Sequence, residues 1–418
     1  MSVDGDEALG GAFDTSVAVL VLRRSLGPFQ HCALAVARSL GRVGVPVYAV
    51  RSAPSDPATR SRYLTGALDL PAHADDGVWC ARLLELPAKL DGAILLAIDD
   101  LAAVAVGDHQ EALLERFRLP RQPLGIQRRL ASKRELWLLC QRLGLPTPNS
   151  TFPRSEAELI EQATEHGYPV VLKRAEPWHP PRDPQAPSVA IAGDRSELLK
   201  AYARMESDEE PQVMLQEYVP GGPDSVWMFN GCFGDGARAL CSFTGRKLRQ
   251  AGSGTGPTTL GLVADNEQVA DSARRLMREL DYRGIVDMGF RHDPRDGSYR
   301  LLDVNPRIGS TFRLFTADDG LDVLRALHLD LTGRPVPAAN NPSGRVWIDE
   351  PRDTAAAALL IGRRALTPAG WLRSLRSVDE GAWWAADDPW PSALLAAKLG
   401  PHALRQLAGR GSREPTPR

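Results

Sequence analysis

The stretch YRLLDVNPR (299–307) places a carboxylate, an amide and a guanidinium directly after an apolar strand. Asp303 and Asn305 are two residues apart, so their side chains share one face of a strand, and Arg307 follows just past its end. Oxygen atoms of Asp and Asn suit a hard cation such as Mg²⁺, and an arginine suits phosphate or carboxylate oxygens. The pattern predicts a site for a nucleoside triphosphate with its metal; a capped strand end with a surface arginine is the alternative.

Two lysines favour the nucleotide interpretation. Lys133 lies at the start of a helix, and Lys173 ends the apolar strand PVVLK. A lysine at the edge of a buried strand usually has a partner, and a polyphosphate would serve both lysines. The segment LQEYVPG could contact an adenine edge and a ribose through polar side chains and backbone groups. Its candidate residues are Gln216, Glu217, Tyr218 and Val219.

The elements that position these residues begin with a unit over 15–120. Continuous apolar runs at 16–22, 45–50 and 91–99 fit strands that are buried on both faces. Helical spacing between the first two runs makes a strand–helix–strand unit, which predicts a doubly wound parallel sheet. The third run ends in Asp99 and Asp100.

The following region alternates helices with strands that read as antiparallel. Ser132 and Glu135 form a capping box that predicts a helix start, and Gly144 predicts the end of that helix. A strand at 168–174 leads into a loop at 176–188, where five prolines exclude regular structure.

Two hairpins and two further helices complete the chain. VWMFNGCF is predicted to pair with ALCSFTGRKL, and GIVDMGFRHD with SYRLLDVN. Amphipathic helices are predicted at 266–280 and 392–410, and four of the nine tryptophans fall in the final fifty residues.

Composition narrows the class of protein. The chain has 418 residues, a net charge of −2 and five cysteines without a CxxC pair. These values favour a globular protein in a reducing cytoplasm, with neither a basic face for nucleic acid nor a zinc site. Residues 1–14 lack the basic and apolar regions of a signal peptide, so we expect a disordered lead-in. No apolar run is long enough for a membrane span.

In their order and spacing, these segments resemble the ATP-grasp superfamily over residues 15–335. The resemblance rests on SKRELWLLCQRLGLPTP, GYPVVLKR, LQEYVPGGPD and YRGIVDMGFRHDPRDGSYRLLDVNPR, and it looks strongest toward the carboxylate–amine ligase branch found in many bacteria. It implies α/β and α+β architecture: an N-terminal doubly wound parallel-sheet (pre-ATP-grasp) domain, then two lobes that grip ATP. The implied divisions are a lead-in (1–14), the N-terminal domain (15–120), the small lobe (121–210), the large lobe with the metal site (211–340) and a Trp-rich extension with a basic helix (341–418).

The resemblance also implies roles for individual residues. Lys133 and Lys173 would hold the phosphates, and Asp303 and Asn305 would bind Mg²⁺, for which Mn²⁺ could substitute. Arg307 would steady the transferred phosphoryl group or the acyl phosphate. The residues implied around adenine and ribose are Gln216, Glu217, Tyr218, Val219 and Asp224. Those implied for phosphate or an acidic substrate are Arg246, Lys247 and Arg249, unless they form a solvated strand edge.

Two features depart from the family pattern. Gly289 stands where family members usually carry a metal-binding carboxylate. Asp287, two residues earlier on the same strand face, is the expected substitute metal ligand. The loop that covers the phosphates is often glycine-rich in the family, whereas residues 176–188 are proline-rich here, so the sequence does not predict backbone contacts from this loop to phosphate.

The resemblance implies an ATP- and Mg²⁺-dependent, ADP-forming ligase that joins a small carboxylate to an amine through an acyl phosphate. Because of Gly289, a nucleotide-binding sensor or scaffold that turns over weakly or not at all is the alternative. The Trp-rich C-terminal segment is expected to pack against the main body, and a contact with a membrane surface or a partner is the alternative. A homodimer is also left open.

Overall fold

The structure is a computed structural model that describes residues 11–25, 30–51, 56–71, 74–179, 181–207, 211–252, 255–340 and 343–399. Most of the predicted lead-in (1–14) lies outside the described residues, as does the part of the predicted last helix beyond residue 399.

The N-terminal unit is a four-stranded parallel sheet in the order β3-β2-β1-β4 with helices on both faces. Its elements are β1 (Val19–Leu22), α1 (Cys32–Gly41), β2 (Val47–Val50), β3 (Gly66–Leu68), α2 (Asp76–Leu84), β4 (Ile94–Ala97), α3 (Asp100–Asp108) and α4 (Gln110–Leu114). Along β1, Val19 and Val21 pack into one core and Leu20 and Leu22 into another. Burial on both faces explains the unbroken apolar run, and the predicted doubly wound sheet is confirmed.

The small lobe contains a second four-stranded sheet, antiparallel, in the order β5-β8-β6-β7. Its elements are α5 (Ile126–Ala131), α6 (Lys133–Leu143), β5 (Ser150–Thr151), α7 (Glu156–His166), β6 (Val170–Arg174), β7 (Val189–Ala192), α8 (Arg195–Met205) and β8 (Val213–Glu217). The hydroxyl of Ser132 accepts a hydrogen bond from the Glu135 backbone N–H at 3.1 Å, and Gly144 ends α6 with a φ of +60°. Because β8 pairs with β5 and β6, this lobe extends past the boundary at 210 that the sequence suggested.

The large lobe is built on a seven-stranded sheet in the order β13-β12-β9-β10-β11-β14-β15. Its elements are β9 (Val226–Phe233), β10 (Ala239–Gln250), β11 (Thr258–Val263), α9 (Glu267–Glu279), β12 (Gly284–His292), β13 (Tyr299–Asn305), α10 (Val323–Leu331), β14 (Val346–Ile348), α11 (Glu350–Gly362), α12 (Pro368–Leu375) and β15 (Glu380–Gly381). The two hairpins predicted from the sequence are β9–β10 and β12–β13.

The segment after residue 341 is integrated into the large lobe, so it packs against the main body of the protein. Strands β14 and β15 continue the large sheet. Arg38 of α1 donates from Nε to Asp388 at 3.0 Å, and both side chains are buried. This segment therefore ties the N-terminal unit to the large lobe. Of the helices described, none is both long and apolar enough to span a membrane.

Candidate functional site

The candidate site is a cavity of about 540 Å³ to which all three units contribute residues. Most of the residues singled out from the sequence line it. These are Lys133, Lys173, Gln216, Glu217, Tyr218, Val219, Lys247, Asp287, Asp303, Asn305 and Arg307. Three predicted residues do not line it, namely Arg246, Arg249 and Asp224.

The register between β12 and β13 brings the predicted metal ligands together. Asp287 lies opposite Asn305, and Gly289 lies opposite Asp303. Directly opposed residues of antiparallel strands point to the same face, so the three oxygen-bearing side chains face the cavity together. The Asn305 amide donates to Asp287 Oδ2 at 3.2 Å.

Asp287 is enclosed closely, whereas Gly289 leaves space. A Cβ on Gly309 would lie 2.6 Å from the Asp287 carboxyl carbon, so only glycine fits beside this carboxylate. Burial raises the pKa of Asp287 above its ordinary value, although Arg307 and the amides of Asn305 and Asn230 oppose that shift. A Cβ on Gly289 would approach only Asp303 Cβ, at 3.9 Å.

The donor set fits a hard cation. Two carboxylates and an amide supply oxygen ligands of the kind that Mg²⁺ takes, and Mg²⁺ usually keeps several waters or phosphate oxygens besides. The described residues contain no group of three or more His, Cys, Asp or Glu that could hold a metal by themselves. Waters or phosphate oxygens would therefore have to complete the coordination.

The two predicted lysines approach Asp303 from the small lobe. Lys133 Nζ donates to Asp303 Oδ1, and Lys173 Nζ donates to the carbonyl of Leu302 at 3.1 Å. Burial lowers the pKa of Lys173 to about 8. Burial alone would raise the pKa of Asp303, but Lys133 and Lys173, together with Arg307, hold it below its ordinary value.

Arg307 connects the end of β13 to the N-terminal unit. Its Nε donates to Asp100 Oδ1 at 2.8 Å, and its Nη2 donates to Asn305 Oδ1 at 3.3 Å. Burial opposes the charged form of Arg307, but Asp100 and Asp287 outweigh it and raise the pKa of the guanidinium.

Asp100 is a site residue that the sequence analysis did not single out. It begins α3, two residues separate it from the end of β4, and it lines the cavity. The strand order β3-β2-β1-β4 reverses direction between β1 and β4, and ligands of open parallel sheets bind at the carboxyl ends of strands at such a point. The Asp99-Asp100 pair at the end of an apolar run was the available signal.

The side chains of β8 that line the cavity are already engaged. Gln216 Nε2 donates to Ser150 Oγ at 2.9 Å. Glu217 accepts from the Asn149 backbone N–H at 2.9 Å and from Arg295 at 3.0 Å. Apolar side chains also line the cavity, namely Val171, Ile191, Val219, Val226, Met228 and Leu302. Such side chains suit a flat, apolar ring such as a nucleotide base.

The basic residues of β10 separate onto different sides. Lys247 lines the cavity and donates to the Gly256 carbonyl at 3.2 Å. The adjacent Arg246 does not line the cavity, because neighbouring residues of a strand point to opposite faces. Arg249 is buried in an ion pair with Asp353 at 2.8 Å, and it lies beyond a shift in the β10–β11 register. Arg249 therefore holds α11 rather than phosphate.

The proline-rich loop and the predicted ribose contact lie at the margin of the site. Between β6 and β7, Pro177 lines the cavity, and the Trp178 ring lies 4.5 Å from the guanidinium carbon of Arg128. Asp224 lies in a short turn over Pro223–Ser225, outside the cavity lining.

Comparisons with known proteins agree with this architecture. The chain is 23% identical to D-aspartate ligase of Enterococcus faecium over 295 residues, which is 65% of this chain and 68% of that enzyme. L-amino acid ligase of Bacillus licheniformis matches over 76% of this chain and 74% of the ligase chain, with a TM-score of 0.55 and 18% identity. N5-carboxyaminoimidazole synthetase of Staphylococcus aureus, solved with ADP, matches over 80% of this chain and 82% of the synthetase chain, with a TM-score of 0.61 and 11% identity. No family model matches the chain.

Proposed function

The chain belongs to the ATP-grasp superfamily, and from this premise we propose that it is an ATP- and Mg²⁺-dependent ligase that joins a carboxylate to an amine. One observation carries the proposal: Lys133, Lys173, Asp303 and Arg307 converge in a cavity that apolar side chains also line. A triphosphate would lie against the charged residues and a base against the apolar ones. The named relatives include an amino-acid ligase and a D-aspartate ligase, so amino acids are the first substrates to test.

The residues of the chain would act by position and charge. Lys133 and Lys173 would orient the phosphates, and Arg307 and Lys247 would neutralise the γ-phosphate as a substrate carboxylate attacks it. The products of this step are an acyl phosphate and ADP. An amine then displaces phosphate to form the amide.

The metal would be held by Asp303, Asn305 and Asp287. Bound there, Mg²⁺ would draw charge from the phosphate oxygens. The short reach from Asp287 to Asn305 supports its inclusion in place of the carboxylate that Gly289 lacks. We place the enzyme in a reducing cytoplasm, because its five cysteines are buried and free.

The experiment is a product assay with a panel of amino acids and amines. Purified protein, ATP and Mg²⁺ should release ADP only with a correct carboxylate, and hydroxylamine should intercept the acyl phosphate as a hydroxamate. AMP and pyrophosphate instead of ADP would show adenylation and overturn the acyl-phosphate route.

A second candidate is a nucleotide sensor, and Gly289 favours it because the metal site has one carboxylate fewer than the family pattern. The sensor would bind ATP with Mg²⁺ but release no ADP over the whole panel. ADP release with any pair of substrates decides for the ligase.

A further inference from the structure

The cavity wall contains a buried arginine to which the proposed mechanism gives no role. Arg291 lines the cavity and is 8% exposed. It lies on β12 four residues after Asp287 and two after Gly289, and the β12–β9 register is continuous through all three. The three residues therefore share a strand face, and Arg291 points into the same cavity about 6.6 Å further along the strand than Gly289.

Contacts with the segment after β8 fix the guanidinium. Arg291 Nη2 donates to the Gly221 carbonyl at 2.5 Å, and the guanidinium carbon lies 5.5 Å from the centre of the Tyr218 ring. Across the sheet, Arg291 pairs with Val226, which also lines the cavity. Arg291 is thus beside the segment 216–219, which is expected to contact the base.

The hydrogen-bonding capacity of Arg291 is mostly unused. A guanidinium has five N–H donors, yet Nε of Arg291 is buried without an acceptor among the described residues. Among the described residues, no carboxylate forms an ion pair with Arg291, whereas Arg307 is paired with Asp100. Buried cations and donors normally have partners, so the site is one acceptor short.

We infer that Arg291 is a nucleoside-binding residue, whose guanidinium lies against the purine ring of ATP and donates a hydrogen bond to a ring or ribose acceptor. The inference rests on the proposed nucleotide binding and adds a contact to it. A flat guanidinium stacks well on an aromatic ring, and a purine supplies both the ring face and the acceptor atoms. The phosphates would be held by other residues of the cavity.

The test is calorimetric binding of ATP, ADP and inorganic tripolyphosphate to wild type and Arg291→Met. Met keeps an apolar side chain against Tyr218 and Val226 but has no charge or donor. We expect the dissociation constants of ATP and ADP to rise about 3- to 30-fold, the range of a partly desolvated cation–π contact. Tripolyphosphate has no nucleoside, so its affinity should not change.

Arg274→Met is the control, because Arg274 pairs with Glu267 and Asp271 on the surface of α9, outside the cavity lining. Arg291→Lys keeps the charge but loses the planar guanidinium, so it should lose less affinity for ATP. This variant replaces Arg291→Met in the test if the latter does not fold. Unchanged ATP affinity in both variants, or an equal loss for tripolyphosphate, overturns the inference. Wild type that binds no ATP overturns the proposed function itself, so the two failures are distinguishable.

Discussion

Arg307 and Asp100 lie 207 residues apart in sequence, yet Nε of the first donates to Oδ1 of the second at 2.8 Å. This ion pair joins the end of β13 in the large lobe to the start of α3 in the N-terminal unit, at the point where the strand order of the parallel sheet reverses. It orients the guanidinium proposed to act on the transferred phosphoryl group. The N-terminal unit therefore takes part in the site.

We expect Asp100→Ala to lower kcat about 10-fold or more with a small change in KM for ATP, because Arg307 would lose its orientation rather than its charge. Steady-state ADP release as a function of ATP concentration separates the two parameters. Asp100→Glu should recover part of the rate. Asp91→Ala removes a surface partner of Arg116 and is the control. A selective rise in KM for ATP would show that Asp100 acts on nucleotide binding instead.

The pKa of Lys173 predicts how ATP binding depends on pH. Its pKa of about 8 in the free protein means that the ammonium is lost as the pH rises through 8. A bound phosphate stabilises the ammonium and raises this pKa, so binding takes up protons near pH 8. The dissociation constant for ATP should therefore rise between pH 7 and 9, by up to about 10-fold per pH unit above the pKa.

Two variants isolate the contribution of Lys173. Lys173→Arg carries a permanent charge and should flatten the pH dependence. Lys173→Ala should weaken ATP binding by about 1.5–3 kcal/mol at pH 7, the range for a hydrogen bond to a charged group. Calorimetry at four pH values measures both effects. A wild-type affinity that is constant from pH 7 to 9 would show that Lys173 does not contact phosphate.

Sequence patterns predicted the parts of this site that depend on local geometry. The alternation of side chains along a strand placed Asp303 and Asn305 on one face, and an apolar run placed Lys173 at a strand edge. Alternation also separates Arg246 from Lys247, a distinction the sequence analysis did not draw. The pairs Arg307–Asp100 and Arg249–Asp353 are long-range contacts set by how separate units pack, and no local period encodes them.

Gly289 predicts that the metal site can be strengthened by substitution. Its Cβ position is open apart from Asp303 Cβ at 3.9 Å, so a side chain can begin there, and Gly289→Glu would add a third carboxylate. We expect the Mg²⁺ concentration for half-maximal ATP binding to fall, and Asp287→Asn to raise it, each about 10-fold. Gly289→Ala adds volume without an oxygen and is the control. If Asp287→Asn leaves the Mg²⁺ requirement unchanged, Asp287 is structural and the cation has only Asp303 and Asn305.

The contact between Lys133 and Asp303 predicts that Asp303→Asn changes the affinity for ATP in opposite directions without and with Mg²⁺. Without metal, Asp303 holds the ammonium that should contact phosphate, and its negative charge repels ATP. Asp303→Asn should therefore bind ATP as tightly as wild type or more tightly in EDTA. With Mg²⁺ the order should reverse, because the wild-type carboxylate then binds the cation.

The kcat of Asp303→Asn should depend on the loss of the metal ligand and not on the affinity for ATP. Charge withdrawal from the phosphates matters most in the transition state, so Asp303→Asn should lower kcat by about 10²–10³-fold, the loss seen when one group that stabilises developing charge is removed. Asp296→Asn, in the turn of the same hairpin and paired with Arg300, is the matched control. Paired titrations in EDTA and in Mg²⁺, followed by single-turnover ADP formation, test both statements. Weaker binding by Asp303→Asn in EDTA would mean that Asp303 supports the lysine instead of competing with phosphate for it.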